Sequence, residues 1–307
     1  MRVLVAGGTG YIGRRLVSEL LDAGHEVCVL TRSQAKAQTL LDASCRIVEW
    51  DLNPESTWAE EIASADALVN LSGENLASGR WSEKRQRLFL QSRIDSTRAL
   101  VEAVRNARQR PKVLINSSAI GFYPAFDEKK ITEETPPGKH FLASLCTQWE
   151  SEALKIKQFH VRVVLLRIGL VIGPDSGLLK KMLPPFRLGL GGPLGSGRQW
   201  MSWIHVDDVV GLILLALQDA HIEGPINATA PGAVRNREFT ATLAHVLHRP
   251  AFFRVPAFAL KLALGEQGNA ALMSQRVLPE KALYHGYNFR YTDIGTALRD
   301  ALTKDRT

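Results

Sequence analysis

"VLVAGGTGYIG", residues 3–13, decides the fold. A run of β-branched and leucine residues ends in Gly7, Gly10 and Gly13 at G-x-x-G-x-x-G spacing, and an amphipathic stretch from Ile12 to Ala23 follows. Strand, glycine turn and helix in that order bring backbone N–H groups up to a pyrophosphate, whose charge rests at the helix N-terminus. Gly7, Gly10, Tyr11, Ile12 and Gly13 are therefore expected to bind a dinucleotide. The glycine spacing alone is weak evidence, and its place between a strand and a helix makes it strong.

Similar short runs recur outward from this motif: "EVCVLT", "CRIVEW", "ALVNLSG", "KVLINSSA" and "RVVLLRIG", with a long helical pattern over Trp81–Ala107. Strands without polar alternation are buried on both faces, which predicts an α/β fold built on a doubly wound parallel sheet, the Rossmann fold. After Ile168 the texture changes to "PFRLGLGGPLGSGRQW", read as a long loop over a cleft. "SWIHV" then reads as a strand, Asp207 and Asp208 as a helix start, Val209–Ala220 as an apolar helix, and "GPINATA" as one more strand of the sheet. The expected organisation is an NADP-binding Rossmann domain over 1–168 and 205–232, with a smaller, mostly helical C-terminal substrate lobe over 169–204 and 233–307.

The tip of the second strand selects the dinucleotide. An acid there binds the ribose hydroxyls of NAD and repels the 2′-phosphate of NADP. This chain has Thr31 and Arg32, a hydroxyl and a guanidinium suited to phosphate, so NADP(H) is the expected cofactor. Asp51, ending the third run, can accept from the adenine amino group or cap a turn. Leu71, Ser72 and Gly73, ending the fourth, place backbone and small side chains beside the adenosine ribose. Glu74 reads as a capping or solvated carboxylate rather than a base.

Bulk properties narrow the class. The 307 residues, 45% hydrophobic and 22% charged, suit one large globular domain or a domain with a smaller lobe, and argue against disorder or a fibre. The net charge of +7 is scattered, with no basic run of five, so an anionic small-molecule substrate is favoured and nucleic acid is not expected. Cys28, Cys45 and Cys146 are too few and too irregular for a disulfide framework or zinc site. The start of the chain lacks a signal-peptide core, and no apolar run reaches the roughly 20 residues of a membrane span. A cytoplasmic protein, monomer or homodimer, with no membrane partner and no metal is the expectation.

Together these residues, with "INSSAIGFY", "LRIGLVIGP" and "WIHVDDVVGLI", resemble the extended branch of the short-chain dehydrogenase/reductase superfamily, the NAD(P)-dependent epimerase/dehydratase group. The likeness covers nearly the whole chain and is closest to an atypical, epimerase-like subfamily marked by "PPFRLGLGGPLGSGRQW" and "LCTQWE". The resemblance implies a serine that polarises a substrate oxygen, which would be Ser118 with Ser117 beside it. It also implies a tyrosine that moves the proton and a lysine that binds the nicotinamide ribose and lowers the tyrosine pKa. Aligned on "WE", Leu142 stands at the tyrosine position and Cys146 at the lysine position. Leucine carries no proton, and a thiol without a nearby base or cation is a small buried hydrophobe.

The group's N-x-x-G-T pattern is here Arg93-Ile-Asp-Ser-Thr97. Arg93 is accordingly expected to extend into the lysine's space and supply its charge to the cofactor, though it cannot relay protons at neutral pH. A substitute acid would be Tyr123 or, second, His205, which with Asp207 and Asp208 reads more readily as a strand-to-helix junction. Val171 in "GLVIGP" is expected along the nicotinamide, and Arg187, Arg198 and Trp200 either clamp an anionic or planar substrate or are solvated. The implied activity is that of an NADP(H)-dependent oxidoreductase with an altered proton donor, or else of an NADP(H)-binding sensor without turnover.

Overall fold

A computed structural model describes residues 1–76, 79–126 and 128–303. The apolar runs form β1 (Arg2–Ala6), β2 (Glu26–Thr31), β3 (Arg46–Glu49), β4 (Ala67–Asn70), β5 (Val113–Ala119), β6 (Arg162–Ile168) and β7 (Gly224–Ala228). All pairings between them are parallel, in the order β7-β6-β5-β4-β1-β2-β3. The direction of winding reverses between β1 and β4, and ligands of such sheets bind in the crevice beyond the strand ends at that reversal.

Both faces of the sheet are covered. Val3 and Val5 of β1 join one apolar cluster with α1 (Tyr11–Asp22), while Leu4 and Ala6 join another with α2 (Glu83–Asn106). This alternation within one strand is why the sequence shows a continuous apolar run rather than a period of two. Burial of each such valine or leucine contributes about 1.5–3 kcal/mol. The edge strand β3 has no fully buried residue and is the exception to the two-sided burial expected of it.

Helix α2 begins after Ser82, whose hydroxyl accepts from Arg85 N at 3.3 Å, so the helix starts two residues later than the pattern from Trp81 predicts. α3 (Phe141–Leu154) is capped by His140, whose Nδ1 accepts from Ala143 N at 3.3 Å. The proline-rich stretch read wholly as loop opens as the end of α4 (Gly177–Arg187), with Pro184 and Pro185 inside it. Each proline removes one helical N–H donor, and the helix ends two residues beyond them at Arg187. "SWIHV" pairs with Leu170–Ile172 outside the main sheet. It leads into α5 (Val206–Gln218), whose cap is His205 rather than an aspartate.

A third apolar cluster joins both parts of the interrupted chain, including Ile172, Phe186 and Trp203 from the first and Phe239, Leu243 and Leu298 from the second. Phe239 and Leu243 lie on α6 (Asn236–Leu247), and α7 (Ala257–Leu264) and α8 (Ile294–Thr303) follow it. Two-residue strands add two further links, one to the chain that follows β5 and one between these parts. Lys130–Ile131 pairs in parallel with Arg276–Val277, and Trp200–Met201 pairs antiparallel with Val234–Arg235. The buried Asp208 carboxylate accepts from the backbone N–H groups of Arg290 and Tyr291 at 2.7 and 3.0 Å. No helix among the described residues is long and apolar enough to cross a membrane.

Candidate dinucleotide and substrate site

The glycine turn is held against the loop that follows β4. Gly7 has φ +83°, and a Cβ there would meet the Leu71 carbonyl carbon at 2.7 Å and Ser72 N at 2.8 Å. A Cβ on Gly13 would lie 2.3 Å from Gly7 O. Only glycine fits either position, because one needs a left-handed backbone and both touch main chain. Gly10 caps α1 with no side-chain hydrogen bond, and the first turn holds no acid, so its dipole faces the crevice uncompensated. Ile12 packs on the sheet, and the Tyr11 hydroxyl is buried beside Gly173 without a hydrogen-bond partner. Burial raises the Tyr11 pKa well above its ordinary value, with nearby Asp207 adding to the shift.

At the end of β2 the Thr31 hydroxyl accepts from Ser33 N at 3.3 Å in a local turn, while Arg32 is exposed at the crevice end of the strand. Asp51 is engaged in a local turn. Its carboxylate accepts from Asn53 N at 2.9 Å, Ser56 Oγ at 2.6 Å and Trp58 Nε1 at 3.1 Å, the bonds of a turn cap. Those bonds, led by that of Ser56, lower its pKa.

Beyond β4 a buried polar ladder fixes the crevice wall. Asn70 Nδ2 donates to Asn116 Oδ1 at 2.7 Å and Thr97 Oγ1 at 3.0 Å, and Trp149 Nε1 donates to the same threonine at 3.0 Å. Asn70 Oδ1 accepts from the Ser72 hydroxyl and from Ser72 N. Asn70 and Asn116 were missed in the sequence, although Asn70 ends β4 and Asn116 follows the apolar run that opens β5. Glu74 pairs with Arg85 at 3.4 Å.

Arg93 reaches into this corner. Its Nη1 donates to Glu74 O at 3.1 Å and Phe89 O at 3.0 Å, and its guanidinium carbon lies 5.0 Å from the Trp149 ring centroid. The side chain runs along Gly73, where a Cβ would sit 3.0 Å from the guanidinium carbon. Arg93 is 8% exposed, its Nε has no hydrogen-bond partner, and it forms no ion pair among the described residues. Burial lowers its pKa to about 10, against smaller opposing effects of Cys146 and Glu74. A buried cation in that state favours an anionic or hydroxyl-bearing ligand beside it.

Below the end of β5 lies a second buried network. Ser118 Oγ donates to Glu150 Oε1 at 2.6 Å, and Arg167 holds both oxygens of that carboxylate with Nε and Nη2 at 2.9 Å each. Arg167 Nη1 donates to the Tyr123 hydroxyl at 2.8 Å, and that hydroxyl donates to Asn227 Oδ1 at 2.6 Å. Arg167 also lies 3.5 Å over the Phe122 ring. Glu150 and Arg167 were not singled out from the sequence; a charge inside the run "RVVLLRIG" was the available signal. Ser117 is buried beside Ser118, and Val171 is half-buried on the strand that pairs with Ile204.

This geometry corrects the assignment of the proton donor. Tyr123 is wholly buried, its hydroxyl is satisfied as donor and acceptor, and burial pushes its pKa up to about 12. It is a brace between β6 and β7. His205 is 1% exposed, stacked 3.9 Å from Tyr291, with Nε2 3.3 Å from Asp300 and Nδ1 accepting from Asp207 N, so it is a junction residue. Ser118 directs its proton at Glu150 rather than toward the crevice. Burial, with Glu150 next, pushes Cys146 up to about 12, so it carries no thiolate at neutral pH. Leu142 rests against Gly121, where a Cβ would meet its own Cβ at 3.1 Å.

The three expected clamp residues do not meet. Arg187 lines a groove with Asp175, Leu183 and Leu302. Trp200 is instead flanked by Arg235 and Arg276, whose guanidinium carbons lie 4.0 and 4.6 Å from its ring centroid, and Arg198 O accepts from Arg235. Neighbouring Gln275 donates to Ile120 O and Tyr123 O at 3.1 and 2.7 Å, which sets this cationic cluster near the turn that follows β5.

With the crevice and its glycine cradle established, comparison with known proteins bears on its descent. The model of the NAD dependent epimerase/dehydratase family matches residues 3–228. The chain belongs to this epimerase/dehydratase family. A second model, a domain of unknown function (DUF1731), matches residues 255–301. Among epimerase-family relatives, the chloroplastic SDR39U1 homologue of Arabidopsis thaliana is 44% identical, over 97% of this chain and 86% of that one. YfhF of Bacillus subtilis is 36% identical over the full length of both. The crystal structure of human epimerase family protein SDR39U1 with NADPH superposes with a TM-score of 0.88 at 35% identity, covering 99% of each chain.

Proposed function

We propose that this epimerase-family chain binds NADP(H) at the β1–β4 crevice and acts as an oxidoreductase on a small anionic molecule, without the tyrosine–lysine relay. The observation that carries the cofactor reading is the close approach of Gly7 to Leu71 and Ser72, with Arg32 exposed at the tip of β2. The NADPH held by the human relative agrees with it. In this reading Gly7, Gly10, Tyr11, Ile12 and Gly13 cradle the pyrophosphate and Arg32, with Thr31 behind it, takes the 2′-phosphate. Leu71, Ser72 and Gly73 border the ribose, and Ser117, Cys146 and Val171 border the nicotinamide end.

Bound there, the nicotinamide would supply or accept a hydride. The residues of this chain bind and orient. Arg93 takes over the charge that a lysine at position 146 would carry, and donates from its unpartnered Nε to the cofactor's ribose or phosphate. Arg276, fixed on Trp200, holds a carboxylate or phosphate of the substrate in place, while Arg235 on the same ring is paired with Glu128. Charge that develops on the substrate is then met by fixed cations instead of a moving proton.

A second reading, an NADP(H)-binding sensor without turnover, is favoured by one observation: the proton of Ser118 and the hydroxyl of Tyr123 are both committed to buried partners. Single-turnover mixing of the NADPH-loaded protein with a panel of carboxylated and phosphorylated carbonyl compounds separates the two. Loss of NADPH absorbance with any of them supports the oxidoreductase, and tight NADPH binding with no oxidation across the panel supports the sensor. Failure to bind NADPH at all overturns both.

A further inference from the structure

The surface concentrates its large exposed apolar side chains in one district. Leu188, Leu190, Phe252, Phe253, Phe258 and Leu262 are 75%, 53%, 85%, 57%, 74% and 76% exposed. They come from the loop after α4 and from the chain around α7, which are sewn together. Phe253 N donates to Gly191 O at 3.2 Å, Val255 N to Pro193 O at 3.0 Å, and Gly195 N to Val255 O at 2.8 Å. Phe258 and Leu262 lie one turn apart on α7. Single exposed leucines are ordinary, but six large apolar side chains on two joined segments mark an interaction surface.

The charge of the same segments indicates what it meets. Residues 175–198 carry four lysines and arginines against Asp175, which pairs with Lys180 at 3.0 Å, and residues 246–266 carry three against Glu266, so both segments are net positive. Two such faces placed against each other would set cation against cation, which disfavours a second copy of the chain. Projecting phenylalanines and leucines amid net positive charge, with Arg249, Arg254 and Lys261 on the same segment as the phenylalanines, match an anionic bilayer surface, where rings and leucines enter the headgroup boundary and cations meet lipid phosphates.

We infer that this face docks the protein peripherally on anionic lipid membranes. The docking departs from the expectation of no membrane partner and requires no spanning helix. It is independent of the crevice chemistry, since none of the six apolar residues belongs to the cofactor cradle.

Flotation of the full chain with vesicles of phosphatidylcholine, with and without a minority of phosphatidylglycerol, tests the inference. About tenfold more protein should float with the anionic vesicles, and added salt should reverse the effect. The triple variant Phe252→Ser, Phe258→Ser, Leu262→Ser should lose that flotation while NADPH titration and thermal unfolding remain as in the parent. The pair Arg254→Gln, Lys261→Gln should weaken it in part. No flotation with anionic vesicles at low salt overturns the inference, as does a triple variant that floats like the parent. A dimer in sedimentation velocity that the triple variant abolishes would assign the face to a second copy instead.

Discussion

Ser118 and Glu150 share a 2.6 Å hydrogen bond in a setting where both are buried, and Arg167 grips the same carboxylate from its other side. Loss of one hydroxyl removes a single charge-assisted bond, whereas loss of the carboxylate strands a buried guanidinium. Ser118→Ala should therefore cost about 1.5–3 kcal/mol of stability and Glu150→Leu about 3–5 kcal/mol. Urea unfolding of the two variants checks the order. Equal costs would mean that the ion pair with Arg167 is not what anchors α3 to β6.

Arg93 should behave in the opposite sense. Its charge is buried without a carboxylate, so Arg93→Met should leave the stability of the cofactor-free protein within about 1 kcal/mol of the parent. The same variant should weaken NADPH binding by about tenfold or more, the loss of one charge-assisted bond. Thermal unfolding and fluorescence titration read these separately, and unchanged affinity would remove Arg93 from the cofactor site.

Arg32→Asp should invert cofactor preference. A carboxylate at the tip of β2 accepts from ribose hydroxyls and repels a 2′-phosphate, so NADPH affinity should fall and NADH affinity rise, each by about tenfold. Titration with both dinucleotides measures the ratio. A preference for NADPH that survives the substitution would place the phosphate elsewhere.

All three cysteines should be silent toward thiol reagents in the native protein. Burial pushes Cys28 and Cys146 up to about 12 and Cys45 up to about 11, against about 8.5 for a free thiol. Their pKa values are raised on folding, so the stabilisation is fully present below the unfolded pKa and is lost as pH rises through 9 toward 11–12. Ellman's reagent at neutral pH should report no reactive thiol before denaturation and three after it. Unfolding midpoints should decline steadily above pH 9.

Much of the fold was legible because it depends on patterns that survive in one dimension. β1 and its glycines are contiguous, and strands buried on both faces read as unbroken apolar runs. The site was less legible because a polar residue at a strand end looks the same whether it faces the crevice or a neighbour. Asp51 turned to Ser56 and Trp58, and Tyr123 turned inward to Arg167 and Asn227, residues 44 and 104 positions away. The pairing of Lys130–Ile131 with Arg276–Val277 left no periodicity in either segment, since two residues are too few to show one. Trp200 found its cations at Arg235 and Arg276, whereas the sequence grouped it with Arg187 and Arg198 as clamps on a substrate.

That pairing across 146 positions also bears on how the molecule is made. A ribosome releases Lys130 and Ile131 long before Arg276 and Val277, and Asp208 long before the backbone amides of Arg290 and Tyr291 that it receives. All seven strands are released by Ala228, yet Ala282 packs into the core against them and Asn227 Nδ2 of the edge strand β7 donates to Leu278 O, so the sheet is completed only when the C-terminal segment arrives. Interrupted synthesis thus leaves the core open on one side, and the segment from Arg276 onward sets the moment at which the fold closes.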